Sequence, residues 1–265
     1  MIKAADERLA EFASELRAWR AHAGLSQVQF AAQIPYSAGL VALIETGERT
    51  PSGDFAALCD TVFGAPGVFT RIWERLRELP YPASFRSFAP SEARASALRT
   101  FQHSLVPGLV QTPEYARAVL ATRPGASAAE TDTLVAARME RQGVLSRDDP
   151  PMLWALLDES ALLRPAAPPE VMRGQLLHLA GEERVNVSIQ VVPYSAGAHS
   201  GLLGAFVLAD PGGIVFLEDA GGGRVSEAPS EVAEVALLFE ALRSEALPKG
   251  VSRDLIERVV KEKWT

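Results

Sequence analysis

A single cysteine, Cys59, stands in a chain of 265 residues. One thiol makes neither an internal disulfide nor a cysteine-based zinc site, and Cys59 reads as a small apolar core residue. Histidine is nearly as scarce. His22, His103, His178 and His199 lie far apart and lack metal-ligand spacing, so no metal and no cofactor are expected. No apolar run approaches the roughly 18 residues of a membrane helix. The opening MIKAADERLAEF is amphipathic rather than a signal peptide. The cytoplasm is the expected compartment, with no membrane partner.

Basic charge is also short. The net charge is −7, with 8 Lys/Arg against 10 Asp/Glu in residues 1–80 and 18 against 23 beyond. Loose, sequence-blind association with nucleic acid is thereby disfavoured, and any basic footprint must be local. Arg17, Arg20 and Arg49, with Gln27 at a helix start, are the candidates. What the chain has in quantity is apolar residues, 48% of the total. That is the composition of an ordinary globular protein, and the length allows two domains with sizeable cores.

Residues 24–51 carry the most organised signal. Ser26 and Gln29 form a capping box ahead of an apolar run, so a helix starts there. Phe30, Ala31 and Ile34 give it an inward face, and Pro35 ends it. Ser37 caps a second helix whose buried positions are Val41 and Ile44, with Gly47 as its stop. A helix over residues 7–23 precedes this pair, with Leu9, Phe12, Ala13, Leu16 and Arg20 on one stripe and Trp19 at its edge. Helices over about 52–63 and 68–79 follow. Pro80, Tyr81, Pro82 and Pro90 mark a boundary, giving an all-α domain over 1–80 and a second domain over 81–265.

GLSQVQFAAQI, VALIETGERTP and FAALCDTVFG resemble the phage-repressor-type (XRE) helix-turn-helix. The resemblance implies a five-helix domain whose second motif helix lies in the DNA major groove. It further implies that Arg20 pairs with Glu45 to fix the helix angle, and that Gln27 contacts a DNA phosphate. The positions it directs at base edges are Ser37, Ala38, Gly39 and Leu43, with Ala42 nearby. None of these makes the bidentate hydrogen bonds that read guanine or adenine. Ala38 and Leu43 offer methyl contact to thymine, Ser37 bonds to base or phosphate, and the rest of the specificity falls to DNA shape and outside contacts such as Arg49. The alternative is an exposed helix turned toward a protein.

The second half alternates differently. Thr112-Pro113 opens a helix, a further helix covers about 127–145, and others cover about 169–179, 230–244 and 252–261. Apolar runs at 153–157, 187–192, 204–208 and 214–217 read as strands. An α+β domain around a small, mostly antiparallel sheet is expected, with an antiparallel pair at 204–217. VPGLVQTPEYARAVL, RMERQGVL, LLDESALLRP and VVPYSAGAHSGLLGAFVL resemble the large C-terminal domain of actinobacterial WhiJ-like regulators. That resemblance implies an antitoxin-like pairing with a short protein encoded nearby, and no catalytic residues.

Little chemistry competes with this. GAHSG at 197–201 has histidine where a nucleophile serine would stand, and Gly221 to Gly223 lacks the Lys-Ser of a phosphate loop. Asp158 with Glu159, and Glu218 with Asp219, end apolar runs and read as solvated strand ends rather than paired acids. Gln111, Tyr115, Arg138, Arg141 and Gln142 are polar residues on apolar helices. They line a groove for a partner or ligand, or else make internal hydrogen bonds. The expected function is a dimeric DNA-binding transcriptional regulator whose C-terminal domain senses a small partner protein or ligand, and not an enzyme. The alternative is an antitoxin-like module that sequesters a short protein with little DNA readout.

Overall fold

The computed structural model describes residues 2–77, 85–211, 213–219 and 222–265. The chain divides into two compact units, Met1–Pro90 and Ser91–Thr265. The expected boundary at residues 80–81, the expected last turn of the fifth helix at 78–79, and Gly221 lie outside the described residues.

The first unit is helical: α1 (Ile2–His22), α2 (Gln27–Ala31), α3 (Ala38–Glu45), α4 (Gly53–Phe63) and α5 (Val68–Arg77). At five and eight residues, α2 and α3 are too short to hold their shape alone in water. Caps and a shared core hold them. The Ser26 Oγ accepts from the Gln29 amide while the Gln29 side chain accepts from the Ser26 amide, the reciprocal arrangement read in the sequence. Ser37 and Ser52 cap α3 and α4 with the hydroxyl alone, accepting from the Leu40 and Phe55 amides. Gly47 and Gly64 stop these helices with positive φ, +75° and +62°, where a side chain would be strained. Phe12, Phe30, Phe55 and Phe69 are buried together with Leu16, Ile44 and Cys59. Each fully buried phenylalanine stabilises by about 1.5–3 kcal/mol, more than a single cap contributes. Burial also pushes the Cys59 thiol pKa up, consistent with an inert core residue.

The second unit is built on a six-stranded sheet of order β3-β2-β1-β4-β5-β6. Its strands are β1 (Ala97–Gln102), β2 (Met152–Asp158), β3 (Val187–Val192), β4 (Phe206–Asp210), β5 (Ile214–Leu217) and β6 (Arg224–Ser226). β1 is parallel to β2, and β2 to β3. The pairs β1–β4, β4–β5 and β5–β6 are antiparallel. The expected antiparallel pair at 204–217 is therefore present, but the sheet is larger and mixed. The physical reason lies in the connection from β1 to β2, which contains α7 (Pro113–Leu120) and α8 (Ala128–Arg141). A crossover of that length lets two strands run parallel. Leu153 and then every residue from Ala155 to Asp158 are buried, the continuous burial of a strand covered on both faces.

Before β1 lies α6 (Ala89–Arg94), α9 (Ser160–Leu163) and α10 (Pro169–Ala180) join β2 to β3, and α11 (Pro229–Glu245) and α12 (Lys249–Lys263) close the chain. α11 covers one face of the sheet, burying Val235, Phe239 and Leu242 against Phe101, Leu156 and Phe206. Neither β1 nor β6 was expected from the sequence. In β1, Arg99 and Gln102 interrupt the apolar pattern, and both find tertiary partners. Arg99 binds Asp210 at 2.7 Å, and the Gln102 amide donates to Glu218 at 2.9 Å. The outer edge of β3 is closed by the chain entering α12. The Leu247 amide donates to the Val191 carbonyl at 2.8 Å, and the Val191 amide donates to Ser252 Oγ at 3.0 Å. An edge so covered offers no template to another strand.

Candidate nucleic-acid interface

The helix pair α2–α3 is set by one carboxylate. Glu45, on the last turn of α3 and only 3% exposed, accepts from Arg20 Nε at 2.5 Å and from Arg20 Nη2 at 2.9 Å. Gln27 Nε2 adds a third hydrogen bond at 2.7 Å, and Arg20 Nη1 donates to the Leu25 carbonyl at 2.8 Å. The end of α1, the turn after it, the start of α2 and the end of α3 are thereby tied at a single point. A bidentate guanidinium–carboxylate pair fixes direction as well as distance, so the angle of α3 is specified. Burial raises the Glu45 carboxyl pKa, but hydrogen bonds from Arg20 and Gln27 and the arginine charge lower it further. It sits below the usual carboxylate range, and Arg20 is raised by the same pairing.

The Arg20–Glu45 pair thus forms as expected. Gln27 gives one of its two amide N–H groups to Glu45 and so also helps to orient α3 from the neighbouring helix.

On α3 itself, Ser37 and Gly39 are exposed, while Ala38, Leu40, Ala42 and Leu43 are half-buried and Val41 and Ile44 are buried. The outward face is therefore small and nearly apolar, with Ser37 occupied in capping the helix. Arg49 is half-buried on the segment leaving α3, where its amide bonds to the Leu43 carbonyl at 3.0 Å. Val28, on α2, is 68% exposed. The sequence reading missed it, although a valine outside the inward stripe Phe30, Ala31 and Ile34 was the available signal. Arg17 is exposed on α1, close enough to Glu45 to help hold that carboxyl down.

The second unit brings its five polar candidates together. Arg138 Nη1 donates to Gln111 Oε1 at 2.8 Å, and Gln111 Nε2 donates to the Val106 carbonyl at 2.7 Å. The Val106 amide donates to Tyr115 Oη at 3.2 Å, and Gln142 Nε2 reaches the carbonyls of Gly108 and Gln111 at 2.9 and 2.8 Å. Arg141 pairs with Glu92 at 3.1 Å. Gln111, Tyr115 and Arg141 are buried, and Arg138 and Gln142 are half-buried. Of the two readings, a groove or internal hydrogen bonds, the hydrogen bonds are present, and most of these polar atoms are turned on one another and on the loop after β1. Glu92, which completes the cluster, carried no sequence signal. Burial drives its carboxyl pKa up, opposed by Arg141 and Arg138. Burial likewise raises the Tyr115 phenol.

Of the strand-end acids, Glu218 and Asp219 are exposed as expected, and Asp158 is not. Asp158 is 4% exposed, its Oδ2 lies 3.1 Å from His199 Nε2, and its Oδ1 accepts from the Ser160 amide at 2.8 Å. Glu159 accepts from the Tyr194 amide at 2.8 Å. Asp158, buried, and Glu159, half-buried, pin the 193–204 loop at His199 and Tyr194. His199 is thus drawn into loop anchoring. Among the described residues no group of three His, Cys, Asp or Glu side chains is placed to hold a metal, and no helix is long and apolar enough to cross a membrane.

Comparison with known families finds a match in each half. A helix-turn-helix domain matches residues 11–71, covering α2, α3 and the Arg20–Glu45 pair, so the first unit carries a DNA-binding domain of that kind. No curated protein and no solved structure matches the chain. A domain of unknown function, DUF5753, matches residues 85–258. That match takes in the whole six-stranded sheet and more than half of the sequence, and the protein belongs to the DUF5753 family.

Proposed function

We propose that this protein is a transcriptional regulator that binds double-stranded DNA through α3, as a homodimer on a roughly palindromic site. The observation that carries the reading is the fixed pose of α3: a helix too short to stand alone is held at one angle by Arg20, Gln27 and Glu45, with its outer face left uncovered within its unit. One helix of eight residues meets too few base pairs for useful specificity, which is the reason for a dimer. Readout at Ala38 and Leu43 is by methyl contact, favouring thymine, with DNA shape adding to it. Arg49 and Arg17 supply the local positive charge. The second unit supplies dimerisation and shifts DNA affinity when a small partner protein or ligand binds. The work is cytoplasmic and needs no catalytic step. A gel shift on the region upstream of the protein's own coding sequence, with and without the short protein encoded beside it, tests the reading. A specific band altered by the neighbour supports it, and no band at any ionic strength overturns it.

A second reading has one observation in its favour. The exposed surface of α3 presents Ala38, Gly39 and Leu43, with Val28 exposed on α2, and α3 itself carries no side chain capable of bidentate base contact. Such a surface suits a protein, and an antitoxin-like module sequestering a short partner would show a stable complex with that partner and little DNA affinity even at low salt.

A further inference from the structure

Arg138 is a half-buried guanidinium with most of its donors unused. Its hydrogen bond to Gln111 Oε1 occupies Nη1, and among the described residues it makes no other hydrogen bond and no ion pair. The neighbouring Arg141 takes the cluster's nearest acid, Glu92. Glu218, the other acid facing Arg138, is itself bonded by Gln102. Burial, and then the charge of Arg141, pull the Arg138 pKa down to about 10. A guanidinium kept in such surroundings without a bonded carboxylate is costly unless something else supplies the oxygens.

The free edge, Nε–H with Nη2–H, is the side that takes a carboxylate by two parallel hydrogen bonds. Gly108 lies over it. A Cβ there would come within 2.5 Å of Arg141 Nη2 and would rest in van der Waals contact with Arg138 Nε at 3.6 Å, so the absent side chain lets both guanidinium groups sit beneath the loop. The location is also telling. β1 leads to β2 and β3 on one side, whereas β4 lies on its other side, so the winding of the sheet reverses at β1. The loop leaving the carboxyl end of β1 is the one that carries Val106 and Gly108. The carboxyl ends of parallel strands, as β1 and β2 are, commonly carry small-molecule sites.

We propose that the free edge of Arg138, under Gly108 at the carboxyl end of β1, anchors the carboxylate of a small organic monoanion. Two arginines and two glutamates share the site, so its charge nearly cancels, and a single negative charge suits it better than the double charge of a phosphate. The inference rests on the reading of the second unit as the sensing half.

The test is a titration of the full-length protein, without DNA, followed at the arginine Nε–H resonances by ¹⁵N NMR. The probes are sodium acetate, sodium benzoate and inorganic phosphate, each at ionic strength matched with sodium chloride. Acetate or benzoate should shift the Arg138 signal saturably, and phosphate should do so less. Arg138→Lys keeps the charge and loses the fork, and should weaken carboxylate binding roughly tenfold or more, read at the backbone amides around Gly108. No saturable shift with either carboxylate overturns the proposal, as does phosphate binding as tightly as the carboxylates. Unchanged affinity in Arg138→Lys also overturns it, and if that variant does not fold, the wild-type titration decides alone. A signal that moves only on adding the neighbouring short protein assigns the edge to a protein contact and overturns the small-molecule claim. Because no DNA is present, a failed promoter experiment and a failed carboxylate titration remain separate results.

Discussion

Arg20 holds both carboxylate oxygens of Glu45, through Nε at 2.5 Å and Nη2 at 2.9 Å, across 25 residues of sequence. Everything proposed for α3 depends on that clasp, since the helix it orients is eight residues long.

Glu45→Gln tests the clasp through pH. The Glu45 pKa is depressed in the folded protein, so its contribution is present above the unfolded value, about 4.3, and is lost as pH falls through the folded value. Urea unfolding at pH 7 should find the variant about 2–3 kcal/mol less stable. The gap should close as both proteins are taken below about pH 4. A gap that persists into acid would mean that packing, not charge, sets the angle.

Gly39→Ala separates stability from binding. A Cβ at Gly39 meets nothing nearer than Ser37 Oγ at 3.8 Å, and alanine in place of glycine inside a helix stabilises by about 0.5–1 kcal/mol. The melting temperature should rise. DNA affinity should change as well, because the new methyl group would stand in the proposed interface. A stabilised variant with unaltered affinity would place the DNA elsewhere.

Ser252→Ala should loosen the second unit alone. Ser252 Oγ accepts from the Val191 amide at 3.0 Å and donates to the Leu247 carbonyl at 3.1 Å, fully buried. Removing it leaves a buried strand-edge amide without its acceptor, at a cost of about 1–3 kcal/mol. Hydrogen exchange should show faster opening at β3 with no change in α1–α4.

Gly201→Ala probes the loop that His199 anchors. An added Cβ would fall 2.6 Å from the Phe101 ring and 3.0 Å from Leu242. Overpacking of that kind costs about 1–3 kcal/mol, readable as a lower urea midpoint. An unchanged midpoint would mean that the 193–204 loop shifts freely over the sheet.

Local chemistry made the first unit legible. Serine caps at 26 and 37, with a glycine stop at 47, act within a few residues, and they delimit α2 and α3 in the structure as in the sequence. Thr112-Pro113 did the same for α7. What escaped depends on partners far along the chain. β1 was hidden because Arg99 and Gln102 look like loop residues until Asp210 and Glu218, more than 100 positions away, are brought beside them. β6, three residues long, has no periodicity to read. The mixed sheet was missed because strand direction is set by connection length and not by strand composition. The polar residues at 111–142 were picked out correctly as a group. Internal hydrogen bonds were one of the two readings open for them, and which groups accept was not readable, since the acceptors are mainly backbone carbonyls of the loop after β1.

The central claim is that α3 sits against a double helix, and salt-dependent DNA binding tests it most directly. Fluorescence anisotropy with the upstream region as a labelled duplex, between about 50 and 200 mM salt, should show tight binding that falls steeply as phosphate contacts release counterions. Arg49→Ala should weaken binding and reduce the slope by about one unit. Binding that is absent at the lowest salt, or identical for a scrambled duplex and unaffected by Arg49→Ala, would contradict the account.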